Sequence, residues 1–145
     1  MQLTARAEYA YWAMVELAER YPSGQPVGIP EIAQRRGIPP KFLLQVMTAL
    51  KRQDLVQSVR GRSGGFRLRR KPEAITLLDI YEATEGANGR QGCPVQRHTC
   101  RTTPDRCPLA RIWTKAVTEV RHLLAGTTLA DALEAEQPAP DSYEI

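Results

Sequence analysis

The sequence has little cysteine, little histidine and no long apolar run. Its 145 residues include three cysteines and two histidines. No stretch of about eighteen apolar residues occurs, so we predict that no helix spans a membrane and that the protein has no membrane partner. The N-terminus opens into an amphipathic pattern rather than an apolar signal segment, which favours a cytoplasmic protein. A hydrophobic content of 42% is enough for one core, and the length favours a single domain.

Sequence patterns typical of catalysis are also missing. There is no Cys-x-x-Cys pair, no histidine near a plausible nucleophile and no carboxylate pair in a recognisable pocket context. Gly61, Gly64 and Gly65 are not followed by a helix or by Gly-Lys-Ser/Thr, so they do not predict a nucleotide-binding loop. We therefore predict that the protein is not an enzyme, and a redox or metal-dependent enzyme is the alternative.

Positive charge is concentrated in one segment. The net charge is +4, but eleven basic residues between Arg35 and Lys71 stand against Asp54 alone, which leaves the remainder of the chain net negative. These are Arg35, Arg36, Lys41, Lys51, Arg52, Arg60, Arg62, Arg67, Arg69, Arg70 and Lys71. Such a segment suits a polyanion, most simply nucleic acid, through contacts with phosphate groups. A solvated basic face is the alternative.

Apolar residues at helical spacing predict three helices in the first third of the chain. The first runs from about Thr4 to Arg20, and a short second helix has Pro30 in its first turn and ends at Gly37. The third runs from Pro40 to Gln53. A short helix, a tight turn and an amphipathic helix form the helix-turn-helix pattern, whose second helix enters the major groove of DNA. The exposed face of that helix carries Lys41, Gln45, Thr48 and Lys51.

A β-hairpin is predicted to follow the third helix. Strands at 55–59 and 66–69 flank a glycine-rich turn, which is typical of a wing. Arg60 and Arg62 lie at its tip, where long cationic side chains suit a narrow, A·T-rich minor groove.

Two helix starts and a long apolar stripe mark the C-terminal half. Thr76-x-x-Asp79 and Thr128-x-x-Asp131 resemble helix N-termini. The stripe extends from Pro108 to Leu124 and is larger than a surface helix of a small domain needs, so we predict that it packs against a second copy. The alternative is that this helix covers only its own core. Residues 137–145 are expected to form a disordered acidic tail.

The three cysteines, Cys93, Cys100 and Cys107, are spaced evenly within fifteen residues. Pro94 and Pro104 oppose a continuous helix there, so we predict a loop that brings three thiolates together. An odd number of cysteines disfavours disulfides, although a reduced loop, or one disulfide with a free thiol, is an alternative.

The residues resemble those of a known family. The opening Met1-Gln2-Leu3-Thr4, the pairs Ile32-Ala33 and Gly37-Ile38, and the hairpin sequence LVQSVRG with Gly64-Gly65-Phe66 are similar to bacterial winged-helix regulators typified by the iron-sulfur cluster regulator IscR and the nitric-oxide-sensitive repressor NsrR. The resemblance implies a homodimer that binds an imperfect palindrome in double-stranded DNA. It implies that Gln45 and Lys41 contact bases and that Arg60 enters the minor groove.

The same resemblance implies an iron-sulfur cluster, [2Fe-2S] or [4Fe-4S], held by Cys93, Cys100 and Cys107, although the intervals between them are longer than in the type members. Ala110 stands where the iron-sulfur regulator has its histidine ligand. Glu8 matches the acidic fourth ligand that the partner subunit gives in the nitric-oxide-sensitive relative, and His98 is the second candidate. A zinc site of three cysteines and His98 is the alternative, although the tight cysteine pairs usual for structural zinc are absent.

Together these expectations describe a mainly α protein with a small β-hairpin wing. We expect a winged helix-turn-helix DNA-binding domain at 1–86, a sensor loop at 87–107, a long dimerisation helix with a short terminal helix at 108–136, and the tail at 137–145. The predicted function is that of a transcription regulator whose operator affinity depends on the cluster and reports redox state, nitric oxide or iron-sulfur status. A regulator with zinc or no metal, and a cluster carrier or interaction module, are the alternatives.

Overall fold

A computed structural model describes residues 3–86 and 103–136. Within them the chain forms six α-helices and one two-stranded hairpin, which confirms the predicted mainly α fold with a wing. The elements are α1 (Ala5–Glu19), α2 (Ile29–Arg36), α3 (Pro40–Arg52), β1 (Val56–Val59), β2 (Gly65–Leu68), α4 (Leu77–Glu85), α5 (Pro108–Gly126) and α6 (Leu129–Glu136). Short 3-10 turns lie at Tyr21–Ser23, Pro72–Ala74 and Pro104–Arg106.

The helix ends follow from local chemistry. The Thr4 hydroxyl accepts a hydrogen bond from the N–H of Ala7 at 3.2 Å and caps α1. Gly37 ends α2 in the left-handed conformation, with φ of 64°. Both predicted threonine caps are confirmed as reciprocal boxes, with Thr76–Asp79 bonds of 2.9 and 3.1 Å and Thr128–Asp131 bonds of 2.8 and 3.1 Å.

The core lies around α1. Met14 and Leu17 of α1 are fully buried, as are Leu43 and Leu50 of α3. Leu129 of α6 is also completely buried, because the chain returns to this core after α5. Backbone bonds from Leu77 N–H to Thr127 O (2.9 Å) and from Leu129 N–H to Ile75 O (2.8 Å) attach this return segment beside the start of α4. The two ends of the described chain therefore share one core.

The wing is an antiparallel hairpin in which Val56 pairs with Leu68 and Val59 with Gly65. Val27 and Phe66 exchange backbone bonds of 2.8 and 2.9 Å, so the segment before α2 borders β2. Gly65 has φ of 150°, and a Cβ there would lie 2.3 Å from the carbonyl oxygen of Val27. Only glycine fits this close approach of two backbones.

The longest helix, α5, contributes little to the core. Among its residues only Ala110 is buried, whereas large apolar side chains are between 37% and 70% exposed. They are Leu109, Ile112, Val120 and Leu123. The prediction that this helix carries more apolar surface than its own core uses agrees with these exposures, and packing against a second copy stays a prediction. No helix in the described ranges has the length and hydropathy needed to cross a membrane.

Candidate nucleic-acid interface and sensor residues

Helix α3 has one buried and one exposed face. Leu43, Val46, Met47 and Leu50 are buried in the core, as their spacing predicts. Lys41, Gln45, Thr48 and Lys51 are all exposed on the other side. The structure thus brings the four predicted contact residues of this helix onto one solvent-facing surface.

The wing is held against the C-terminal end of α3. Lys51 Nζ donates to Ser58 Oγ of β1 at 3.0 Å. Leu55 N–H donates to Leu50 O at 3.2 Å, and Asp54 takes the left-handed conformation, with φ of 55°, at this turn. Asp tolerates that conformation better than most residues do. The link between α3 and the wing is therefore short and held by hydrogen bonds. These bonds set the position of the wing relative to α3.

Arg60 and Arg62 are exposed at the wing tip. Gly64 N–H donates to Gly61 O at 3.1 Å and closes the turn tightly. A Cβ on Gly64 would lie 2.2 Å from the Val59 carbonyl oxygen, so this backbone path needs glycine. Within the part of the chain that the structure describes, neither arginine has an ion-pair partner, so both charges are available to an anion.

Part of the basic segment has a structural role instead. Arg35 and Arg36 bind carboxylates of α1, and Arg69 binds Asp54 at 2.9 Å. The local excess of positive charge counted from sequence therefore overstates the charge that faces a polyanion. The exposed cations without such partners include those of α3 and the wing tip.

Glu16 binds two arginines of the basic segment, a role that the sequence did not predict. Its carboxylate, 3% exposed, accepts hydrogen bonds from Arg36 Nε at 2.6 Å and from Arg35 Nη1 at 2.8 Å. The Arg36 guanidinium also lies 4.6 Å from the Trp12 ring centre and 3.4 Å from a Glu136 oxygen. This cluster ties α2 to α1 and to the end of α6. Its only sequence signal is a lone acidic residue within the apolar face of α1.

Only two of the predicted metal ligands lie within the described residues. Cys107 is half-buried and directly precedes α5, and Glu8 is exposed in the first turn of α1. Cys93, His98 and Cys100 lie outside the described residues. In the ranges 3–86 and 103–136, no three His, Cys, Asp or Glu side chains form a group able to hold a metal ion. Ala110 is buried and offers no donor atom.

Cys107 and Glu8 are suited chemically to the predicted iron-sulfur cluster. Cys107 is the N-cap residue of α5, a helix of 19 residues. Thiolate sulfur is a soft donor that binds iron-sulfur clusters and zinc. Glu8 has no ion pair with any residue in the described ranges, so its carboxylate is open to a second subunit.

Comparison with known proteins gives a consistent result. A family model described as "Rrf2: Iron-dependent Transcriptional regulator" matches residues 3–135. An HTH-type transcriptional regulator of Mycobacterium tuberculosis is 36% identical over 141 residues, which cover 95% of this chain and 84% of the relative. The structure of CymR, the global cysteine regulator of B. subtilis, superposes with a TM-score of 0.76 at 28% identity and covers 94% of this chain and 99% of CymR. The structure of T. potens IscR has a TM-score of 0.76 at 26% identity and covers 99% of this chain and 97% of that protein.

Proposed function

The chain belongs to the Rrf2 family of transcriptional regulators, and from that premise we propose a homodimer that binds an imperfect palindrome in double-stranded DNA. In this proposal an iron-sulfur cluster on the 87–107 loop sets the affinity for the operator. The family consists of regulators and not of enzymes, in agreement with the catalytic motifs that the sequence lacks.

The DNA-reading part of the proposal depends on one arrangement. Lys41, Gln45, Thr48 and Lys51 share the exposed face of α3, and a bonded turn places the wing beside it. A recognition helix of this kind enters the major groove, where glutamine pairs with adenine through two hydrogen bonds. Arg60 and Arg62, without ion-pair partners among the described residues, suit the adjacent minor groove.

The exposed apolar residues of α5 support the dimer. A monomer would leave Ile112 and Leu123, 64% and 70% exposed, in water along with their apolar neighbours. Contiguous exposed apolar patches on soluble proteins commonly mark interaction sites. Pairing of two α5 helices would place the two α3 helices to read half-sites one helical turn of DNA apart, or a multiple of that.

The sensor part is supported by the position of Cys107. Cys107 directly precedes α5, so a cluster bound by its sulfur would act on the first turn of the proposed dimer helix. Glu8 lies in the first turn of α1, the helix at the centre of the DNA-binding core. A cluster bound by three thiolates and the partner's carboxylate would supply a centre sensitive to redox change. Its ligands would connect α5 of one subunit to α1 of the other.

Such a connection would change operator affinity roughly five- to 150-fold, because coupling between sites in allosteric proteins is typically about 1 to 3 kcal/mol. The test is purification without oxygen, followed by visible absorption and by assays of iron, sulfide and zinc. Operator affinity is then measured for loaded and apo protein. Colourless protein with stoichiometric zinc would overturn the cluster assignment, and equal affinity of the two forms would overturn the coupling.

The fourth ligand needs its own variants. Glu8→Ala should lower iron and sulfide content or alter the visible spectrum, while Glu19→Ala, an exposed carboxylate at the other end of α1, should leave both unchanged. His98→Ala tests the second candidate in the same assay. If His98→Ala loses iron and Glu8→Ala retains all of it, His98 and not Glu8 is the fourth ligand.

A further inference from the structure

The exposed face of α3 is not entirely polar. Leu44, 53% exposed, lies on it between donor-bearing neighbours. Helical spacing puts Lys41 one turn before Leu44 and Thr48 one turn after it, with Lys51 two turns after it. A single exposed leucine is ordinary on a protein surface. This one is surrounded by the residues expected to face DNA.

Thr48 extends the apolar surface. Its hydroxyl donates a hydrogen bond of 2.8 Å to the carbonyl oxygen of Leu44, one turn earlier in the same helix. The hydroxyl hydrogen is therefore committed to the helix backbone. The oxygen can still accept a hydrogen bond, and the methyl group is the apolar part of this exposed side chain. We call the Leu44 side chain and the Thr48 methyl group the apolar strip of α3.

The strip has a chemical counterpart in the major groove. Thymine is the only standard base that presents a methyl group there, and apolar side chains recognise it by contact. Gln45, next to Leu44 in sequence and exposed on the same face, is suited to adenine. We propose that the apolar strip of α3 recognises thymine methyl groups beside the base that Gln45 reads. This inference rests on the proposed DNA-binding function and names what that site selects.

The expected effect is measurable. Burying one methyl group is worth about fourfold in affinity, from the free energy of transferring such a group out of water. Two half-sites contacted by two protomers would give about fifteenfold, because the effect applies once in each.

The experiment begins with selection of a tight-binding duplex from a random library by the wild-type protein. Each thymine of that duplex is then replaced by deoxyuridine, which keeps base pairing and lacks only the methyl group. Affinity is measured for every substituted duplex at one salt concentration, since binding to DNA depends strongly on salt. The wild-type protein should lose about fourfold at one or two thymines in each half-site.

Three variants assign the effect to the strip. Leu44→Ala should bind thymine and deoxyuridine duplexes almost equally at those positions. Thr48→Val keeps a methyl group and removes the hydroxyl, so it should retain the discrimination, whereas Thr48→Ser keeps only the hydroxyl and should lose part of it. Tyr21→Ala is the control, because Tyr21 is 41% exposed and follows α1, outside both α3 and the wing. This control should keep the wild-type ratio between the affinities for thymine and deoxyuridine duplexes.

The outcomes are distinct. Equal binding of all duplexes by the wild-type protein would overturn the inference while leaving DNA binding intact. So would a full deoxyuridine penalty in Leu44→Ala. A loss of discrimination in Thr48→Val would show that the hydroxyl reads a base and would also overturn it. If no duplex is enriched in the selection, the proposed function itself fails.

Discussion

The Nε–H of Arg36 donates a hydrogen bond of 2.6 Å to the buried carboxylate of Glu16 and joins the first helix of the helix-turn-helix to α1. Two basic side chains that belong to the charged segment are thus used to hold α2 in place. Helix α3 follows α2 by a tight turn and packs against α1 through its own buried face.

Substitution Glu16→Gln should lower the free energy of unfolding by about 1 to 3 kcal/mol, because hydrogen bonds to charged groups contribute on that scale and Glu16 is buried. Urea unfolding measures the change. The control is Glu19→Gln, whose carboxylate is 43% exposed and contacts the same arginines only at 3.8 and 4.0 Å. We expect less than about 1 kcal/mol there. Equal losses in the two variants would contradict a special role for Glu16.

Substitution Gly65→Ala should destabilise the wing. A Cβ at this position would lie 2.3 Å from Val27 O, and φ is 150°. Strained backbone positions cost about 1 to 3 kcal/mol each. Gly28→Ala is the control, since its added Cβ meets Pro30 Cδ at an ordinary 3.6 Å. Thermal unfolding compares the two, and an equal change in melting temperature would argue against the close contact of β2 with Val27.

Substitution Arg60→Ala should weaken operator binding by at least about fivefold. It should also reduce the dependence of log affinity on log salt by about two for a dimer, because one cation is lost from each wing. Fluorescence anisotropy over a series of salt concentrations measures both. Arg111→Ala removes an equal charge from α5, away from the wing, and should leave the salt dependence nearly unchanged. An identical slope for wild-type and Arg60→Ala protein would remove the wing arginine from the interface.

Stability at acid pH should depend on the cap of α6. Hydrogen bonds from the backbone N–H and then from the side chain of Thr128 lower the pKa of Asp131 below its ordinary value of 3.8. The cap therefore contributes fully above that pH, and its contribution is lost as pH falls through the lower pKa of the folded state. Urea midpoints of wild-type and Asp131→Asn protein should differ at neutral pH and converge at the acid end. A difference that stays constant with pH would be inconsistent with the shifted carboxyl.

Substitution Leu123→Glu should yield monomers, because a charge would be placed in the proposed interface between two α5 helices. Leu123 is 70% exposed in the isolated chain, so the fold of each subunit should survive. Sedimentation equilibrium gives the mass, and circular dichroism checks the helices. Thr118→Glu introduces the same charge on the opposite side of α5 and should stay dimeric. A dimeric Leu123→Glu protein would place the interface elsewhere.

Sequence periodicity predicted the helices and the wing well, because each depends on local rules. The spacing of Leu43, Val46, Met47 and Leu50 alone defines the buried face of α3. The structure begins β1 one residue later than predicted, at Val56, since Leu55 completes the turn by bonding back to Leu50. Contacts between distant segments were not predictable in this way.

The predicted sensor site also depends partly on local sequence patterns and partly on contacts between distant groups. The spacing of three cysteines and two prolines predicted a loop, and Cys93, His98 and Cys100 lie outside the described residues. The structure adds only that Cys107 stands at the start of α5 and that Glu8 is exposed on α1. Whether these groups meet depends on a second subunit, so the ligand set stays a prediction.

By itself the sequence determined the order of helices, the two threonine caps, the glycine-rich wing and the basic character of the DNA-reading segment. These properties come from backbone conformation and from patterns that repeat over a few residues. Only the tertiary structure decided that Arg35 and Arg36 bind Glu16 rather than remain free, and that the Thr48 hydroxyl is occupied by Leu44 O. A charge or a donor is available to a ligand only if no folded neighbour already holds it, and those neighbours are set by packing and not by spacing along the chain.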